Sequence, residues 1–237
     1  MSCEGLPSHS ELRAALAAAV GSPPTGNGGF NLHMWATIVD RDGIVCAVAF
    51  TGNDRGDQWP GSRVISAQKA NTANAFSLPG LALSTANLWA AVQPGGSLFG
   101  LQHSNPVDTA VAYGGNSEHY GQDNDPMCGK KIGGVNVFGG GLALYNSAGQ
   151  LVGAVGVSGD SSCADHNIAW RTRNNLGLDH VPGGVSGDPA RHDNIVFDVT
   201  DDAGGNPESA GGFGHPHSSP ANADNESAIA GSLPTIP

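Results

Sequence analysis

Hydrophobic and polar positions repeat along this chain with two periods, and the switches between them predict most of its elements. From Gly134 to Ala169 two apolar runs flank the turn Asn146, Ser147, Ala148, Gly149, and a glycine turn then leads into a helical period. Short apolar runs around an Asn/Gly loop predict a β-hairpin, because those turn residues tolerate positive φ. In the second run Leu151, Gly153, Val155 and Val157 share one face, and Val152, Ala154, Gly156 and Ser158 share the other. Both faces are apolar or small, as in a central strand covered on both sides. Gly153 and Gly156 weaken such a strand unless a packed helix or a ligand must approach its backbone closely.

A second hairpin is predicted in LHMWATIVDRDGIVCAVAF, with Asp40 to Gly43 as its turn, after a turn-rich connection from Gly21 to Phe30. Helical spacing marks the N-terminal segment, capped by Ser8 or Ser10. It also marks RVISAQKANTANAFS, a segment from Ser84 to Val92 capped by Ser84, and a last helix from Cys163 to Asn175 that ends at Gly177. Ser162 is the expected cap of that last helix, with Asp165 reaching back or facing its positive end. The stretch 98–133 has no period and reads as a long functional or assembly loop. DNIVFDV reads as one edge strand, and the Pro, Gly and Ser content after Gly211 reads as an extended arm able to lie across a neighbouring subunit. The expected organisation is one domain over 1–180 and a C-terminal extension over 181–237.

Composition narrows the choice of partners. The 237 residues carry a formal net charge of −11 with no basic cluster, so phosphate backbones and anionic membrane surfaces are repelled. No segment approaches the roughly 18 apolar residues of a membrane helix, so no membrane insertion is expected. The N-terminal segment lacks the basic start of a signal peptide as given. Cys3, Cys46, Cys128 and Cys163 permit two disulfides in any of three pairings, or remain four buried thiols. Their even number and the scarcity of lysine lean towards a secreted or periplasmic setting.

Candidate chemistry centres on Lys69, which lies in the apolar stripe Ile65, Lys69, Thr72, Ala73, Phe76. A lysine there either snorkels out along its stem or meets an anion. Weak metal candidates are His119, Asp123 and Asp125, close in sequence, and His166; Asp165 and His166 project about 100 degrees apart, so a metal site would take only one of them. His215 and His217 flank a proline in the tail and read as surface residues. Ser158 lies between a strand and a helix, but G-x-S-x-G is not satisfied, and hydrolysis at that serine is set aside. No dinucleotide fingerprint, phosphate-loop lysine or CxxC pair is present.

Three phrases in order carry a family likeness: Ala67 to Ala73 around Lys69, the glycines Gly139, Gly140 and Gly141 ahead of a strand, and GQLVGAVGVSG from Gly149 to Gly159, followed by Asp165, Ile168 and Ala169. In these the chain resembles the haem-binding HbpS/GlcG-like family, which includes the C-terminal domain of PduO-type proteins, over roughly residues 10–177. A third glycine and Leu142 replace the proline that usually follows the glycine pair, and the loop and tail lie outside the pattern. The resemblance implies an α+β fold, an antiparallel sheet of about five strands flanked by helices in a profilin-like sandwich, assembled as a homo-oligomer. It also implies haem as the expected cofactor. Among the residues present, His103, His119, Tyr120, Met127, Cys128 and His166 are of types that ligate haem iron. The expected ligand-binding set is Lys69, Thr72, Gly139, Gly140, Asp165 and His166, closing on haem or another small anionic molecule. Two other readings remain open at this point: an enzyme using Lys69 or His166 as acid or base on a small oxygenated substrate, and an assembly protein.

Overall fold

The computed structural model describes residues 3–21, 26–219, 221 and 223–237, so part of the expected Gly21 to Phe30 connection and two positions of the tail lie outside the described residues. Helix α1 (His9–Val20) begins at Ser8, whose hydroxyl accepts the Glu11 N–H while the Glu11 carboxylate accepts the Ser8 N–H in return. That reciprocal cap satisfies two of the helix's orphan donors and selects Ser8 over Ser10. Strands β1 (Trp35–Asp40) and β2 (Val45–Phe50) follow, joined by a turn in which Gly43 has a φ of 77°. Helix α2 (Ser62–Phe76) comes next, then two short helices, α3 (Leu101–Ser104) and α4 (Thr109–Ala112), within the expected long loop. Strands β3 (Gly141–Tyr145) and β4 (Leu151–Ser158) lead into α5 (Ser162–Asn175). The chain continues through β5 (Val199–Asp201) and β6 (Pro207–Ser209) to α6 (Ala223–Ser232).

The main sheet is antiparallel, in the order β2-β1-β4-β3, and the alternation of its residues sorts two cores. Ile38, Leu142, Val155 and Val157 face α1 and α5, where Leu12, Leu16 and Trp170 pack against them. Val39, Val45 and Ala154 face α2 through Val64, Ala67 and Ala70. The fold is therefore α+β, a sheet covered by helices on both faces, as the family resemblance implies. Gly141 and Gly156 pair across β3 and β4, and a side chain on either would run into an α2 carbonyl, that of Lys69 or Ser66. Close helix packing is thus the reason for Gly156, while Gly153 lies hard against the Val39 carbonyl of the neighbouring strand.

Several local expectations change. Ser84 does cap, together with Asn87, but Thr85–Leu88 and Ala90–Val92 are two 3₁₀ turns rather than one α-helix. The segment DNIVFDV does not extend the sheet, because its side chains are used elsewhere: Asp193 holds Arg173 and Asn194 accepts from Ile195. Only Val199 reaches a strand, in the separate β5-β6 ribbon, so the main sheet has four strands. The tail lies on its own chain, with Leu233 entering the α1/α5 core and Pro234 accepting a hydrogen bond from the Trp170 indole at 2.9 Å. Cys3 and Cys46 form a disulfide, whereas Cys128 and Cys163 are free thiols. No helix among the described residues is long and apolar enough to cross a membrane.

Candidate functional site

Where α2 crosses β4, Lys69 is fully buried, and its ammonium donates to the Asp165 carboxylate at 2.6 Å and to the Val157 carbonyl at 3.0 Å. It does not snorkel; it meets an anion, the Asp165 carboxylate from the first turn of α5. Asp165 in turn accepts the Asp160 N–H at 2.8 Å, and the Asp160 carboxylate pins the Phe30, Leu32 and Ser161 amides. The expected cap shifts by one position: Ser161 caps α5, accepting the Ala164 N–H, which leaves the Ser162 hydroxyl for other work. Burial raises the Asp165 carboxyl to about 7, against the pull of Lys69, and burial lowers the Lys69 ammonium, against the pull of Asp165. Burial thus works against the charge of both groups, and their mutual contact works for it.

Beside this pair lies a cavity of about 150 Å³. Lys69, Asp165, Ser158 and Ser162 line its polar side, and Trp59, Ile65 and Phe138 form its apolar side. Trp59 is 53% and Phe138 46% exposed, so two aromatic rings stand at the surface over a buried charge pair. The glycine approach to β3 touches residues of the cavity wall without lining it. Gly139 donates its N–H to Ser162 Oγ at 2.7 Å, and Gly140, at φ 116°, sits where a side chain would crowd Lys69 Nζ and the Val157 carbonyl. Ser162 Oγ also lies 2.7 Å from Nε2 of His215, a residue of the tail.

The other expected site residues lie elsewhere. Thr72 bonds back to the Gln68 carbonyl and accepts the Asn136 N–H at 3.0 Å, fastening the chain ahead of β3 to α2. His166 is buried but does not line the cavity. Its Nε2 faces Asn194 Oδ1 at 3.1 Å, its Nδ1 has no partner, and burial lowers the imidazole to about 4. The metal candidates are not gathered: His119 and Asp123 are exposed, while Asp125 is buried in an ion pair with Arg63. Among the described residues the one close group of metal-ligating atoms is Cys3, Asp40 and Cys46, and its two sulfurs are joined in the disulfide. His215, far from α5 in sequence and flanked by Pro216, gave no sequence signal of its place beside Ser162.

The chain is thus a helix-covered antiparallel sheet with a lysine of α2 buried against an aspartate of α5. It belongs to the HbpS-like family, described as haem degrading protein HbpS-like, which matches residues 14–173. Among solved structures, the PduOC:heme complex is 23% identical over 70% of this chain and 89% of that one, with a TM-score of 0.47. Protein ORFY of Klebsiella pneumoniae is 25% identical over 72% and 90%, with a TM-score of 0.46. HbpS is 17% identical over 72% and 90%, with a TM-score of 0.41. No curated protein matches the chain.

The cavity tests how far haem fits this chain. At about 150 Å³ it lies below the roughly 300–1,000 Å³ of small-molecule sites, so it has room for a carboxylate arm but not for a macrocycle. None of His103, His119, Tyr120, Met127, Cys128 and His166 lines it, so an axial iron ligand is not supplied at this cavity. The residues fit the anionic and aromatic parts of such a ligand and do not fit its iron there.

Proposed function

We propose that this protein binds a flat, amphipathic carboxylate, haem being the first to test, with its ring system on Trp59 and Phe138 and a carboxylate arm directed at Lys69. The observation that carries this reading is the pair of exposed aromatic rings over the buried Lys69–Asp165 pair. A solvent-exposed aromatic pair offers apolar area for a planar ligand, and the cavity beneath it offers a cation. A carboxylate entering the cavity meets the Asp165 charge as well as that of Lys69. Protonation of Asp165 removes that repulsion and frees the ammonium, so anion binding takes up a proton and tightens as pH falls through about 7. The family's description as haem degrading supports haem as the ligand.

Titration of the purified protein with haemin tests this directly. The expected result is a shifted Soret band that saturates near a one-to-one ratio, with Trp59→Ala weakening binding about tenfold, the loss of about 1.4 kcal/mol of stacking. Unchanged free-haemin absorbance removes haem from the reading. The same reading takes the chain as a homo-oligomer, which light scattering checks, and places it in an oxidising compartment, which the Cys3–Cys46 disulfide supports.

A further inference from the structure

The tail beyond the family match brings His215 onto Ser162, and the hydrogen bonds around that imidazole define its protonation. His215 Nδ1 lies 2.6 Å from the Pro216 carbonyl oxygen, which can only accept, so Nδ1 carries the proton. The lone pair of Nε2 therefore faces Ser162 Oγ at 2.7 Å, and the hydroxyl donates to it. The imidazole is buried, its backbone N–H is bound to the Val196 carbonyl at 2.8 Å, and its ring sits 5.9 Å from that of Trp89. A hydroxyl, a base in hydrogen-bond reach and a third group that orients the base make the arrangement of an activated nucleophile. The Gly139 N–H fixes the hydroxyl's orientation at the cavity wall.

We propose that Ser162 and His215 form an acyl-transfer centre for small acyl esters of phenols, with Ser162 as nucleophile and His215 as general base. The cavity of about 150 Å³ takes a short acyl group, Trp59 and Phe138 at its mouth take the aryl ring, and Lys69 on the same wall offers positive charge to the developing oxyanion. Ser162 Oγ bonds to the ester carbonyl carbon as its proton passes to His215 Nε2. The carbon–aryloxy bond then breaks, and the phenol leaves with that proton. Water attacks the acyl-serine with the same base, releasing the carboxylic acid and restoring the hydroxyl. Burial lowers the imidazole to about 3, which makes it a weak base and confines the reaction to esters whose leaving group is itself acidic. This centre shares its cavity, Trp59, Phe138 and Lys69 with the ligand proposal but does not rest on it, and haemin titration and acylation are read separately on the same wild-type chain.

The experiment exposes the full chain to p-nitrophenyl acetate and to an aryl fluorophosphonate. The expected outcome is nitrophenol release together with one phosphonyl adduct per chain by intact mass, mapped by peptide sequencing to Ser162. Ser162→Ala should abolish the adduct, and His215→Gln should slow acylation about 100-fold. Absence of an adduct on the wild-type chain, an adduct on another residue, or acylation of His215→Gln at the wild-type rate overturns the proposal. The wild-type mapping decides the matter even where a variant fails to fold.

Discussion

Three charged pairs are buried among the described residues, and the one at the cavity is built unlike the other two. Arg63 grips Asp125 through two guanidinium nitrogens and gives a third contact to the Ala112 carbonyl at 2.8 Å; Arg173 does the same with Asp193 and the Ala143 carbonyl at 3.1 Å. Asp125 also accepts the Gly121 and Met127 amides, and the Arg63 guanidinium lies 3.6 Å from the Tyr120 ring centroid. Arginine does not give up its proton in a protein, so these planar, two-point pairs are fixed fasteners: one pins the long loop to α2, the other pins the tail to α5. Lys69 and Asp165 share one contact beside a cavity, and both belong to types whose charge yields to burial. The lesson is that burial alone does not make an ion pair structural. Two-point contact through a guanidinium, against a single contact between groups able to move a proton, separates a fastener from a candidate site.

The largest effect should come from breaking a fastener. Asp125→Asn strands a guanidinium that cannot neutralise itself, and urea unfolding should show a loss of about 3–5 kcal/mol. Lys69→Met should cost less, about 1–2 kcal/mol at pH 6, because the abandoned Asp165 takes up a proton there. Equal losses for the two variants would erase the distinction drawn between the pairs. The smallest effect is a slope. Burial lowers His166 to about 4 and His215 to about 3, both from 6.5, so their stabilisation is complete above pH 6.5 and is lost as pH falls towards those values. Asp165, raised from 3.8 to about 7, acts in the opposite sense: its contribution is present below pH 4 and is lost as pH rises through 7. Between pH 6 and 4.5 the balance is about one proton, so stability should fall by about 1 kcal/mol per pH unit on acidification. In His215→Gln that slope should vanish, and a slope unchanged from wild type would deny the buried neutral state of His215.

Much of the frame was legible because its signals are local. The hairpin turns at Asp40 to Gly43 and Asn146 to Gly149, the Ser8 cap and the helical stripe holding Lys69 all depend on residues within a few positions of one another. The misplacement of Lys69 in an apolar stripe pointed to the cavity, and Asp165 was in view as a neighbour of the same family motif. What stayed hidden was pairing at long range. Nothing near Arg63 announces Asp125, and nothing in Ser162 announces His215. The tail misled for a physical reason: it has too little apolar surface to fold alone, yet Ile229 and Leu233 need only a domain already made on which to dock. The Ser84 to Val92 segment misled because its capping box is genuine, but its carbonyls turn over three residues instead of four.

Leu12 and Leu233 share one core cluster, so the two ends of the described chain meet inside the molecule and not on its surface. A core closed by residues so distant in sequence cannot be completed by early, local events; its last contacts form only after the sheet exists to receive them. The docking of the tail should therefore follow the formation of the sheet, and the base presented to Ser162 would be the last part of the site to arrive.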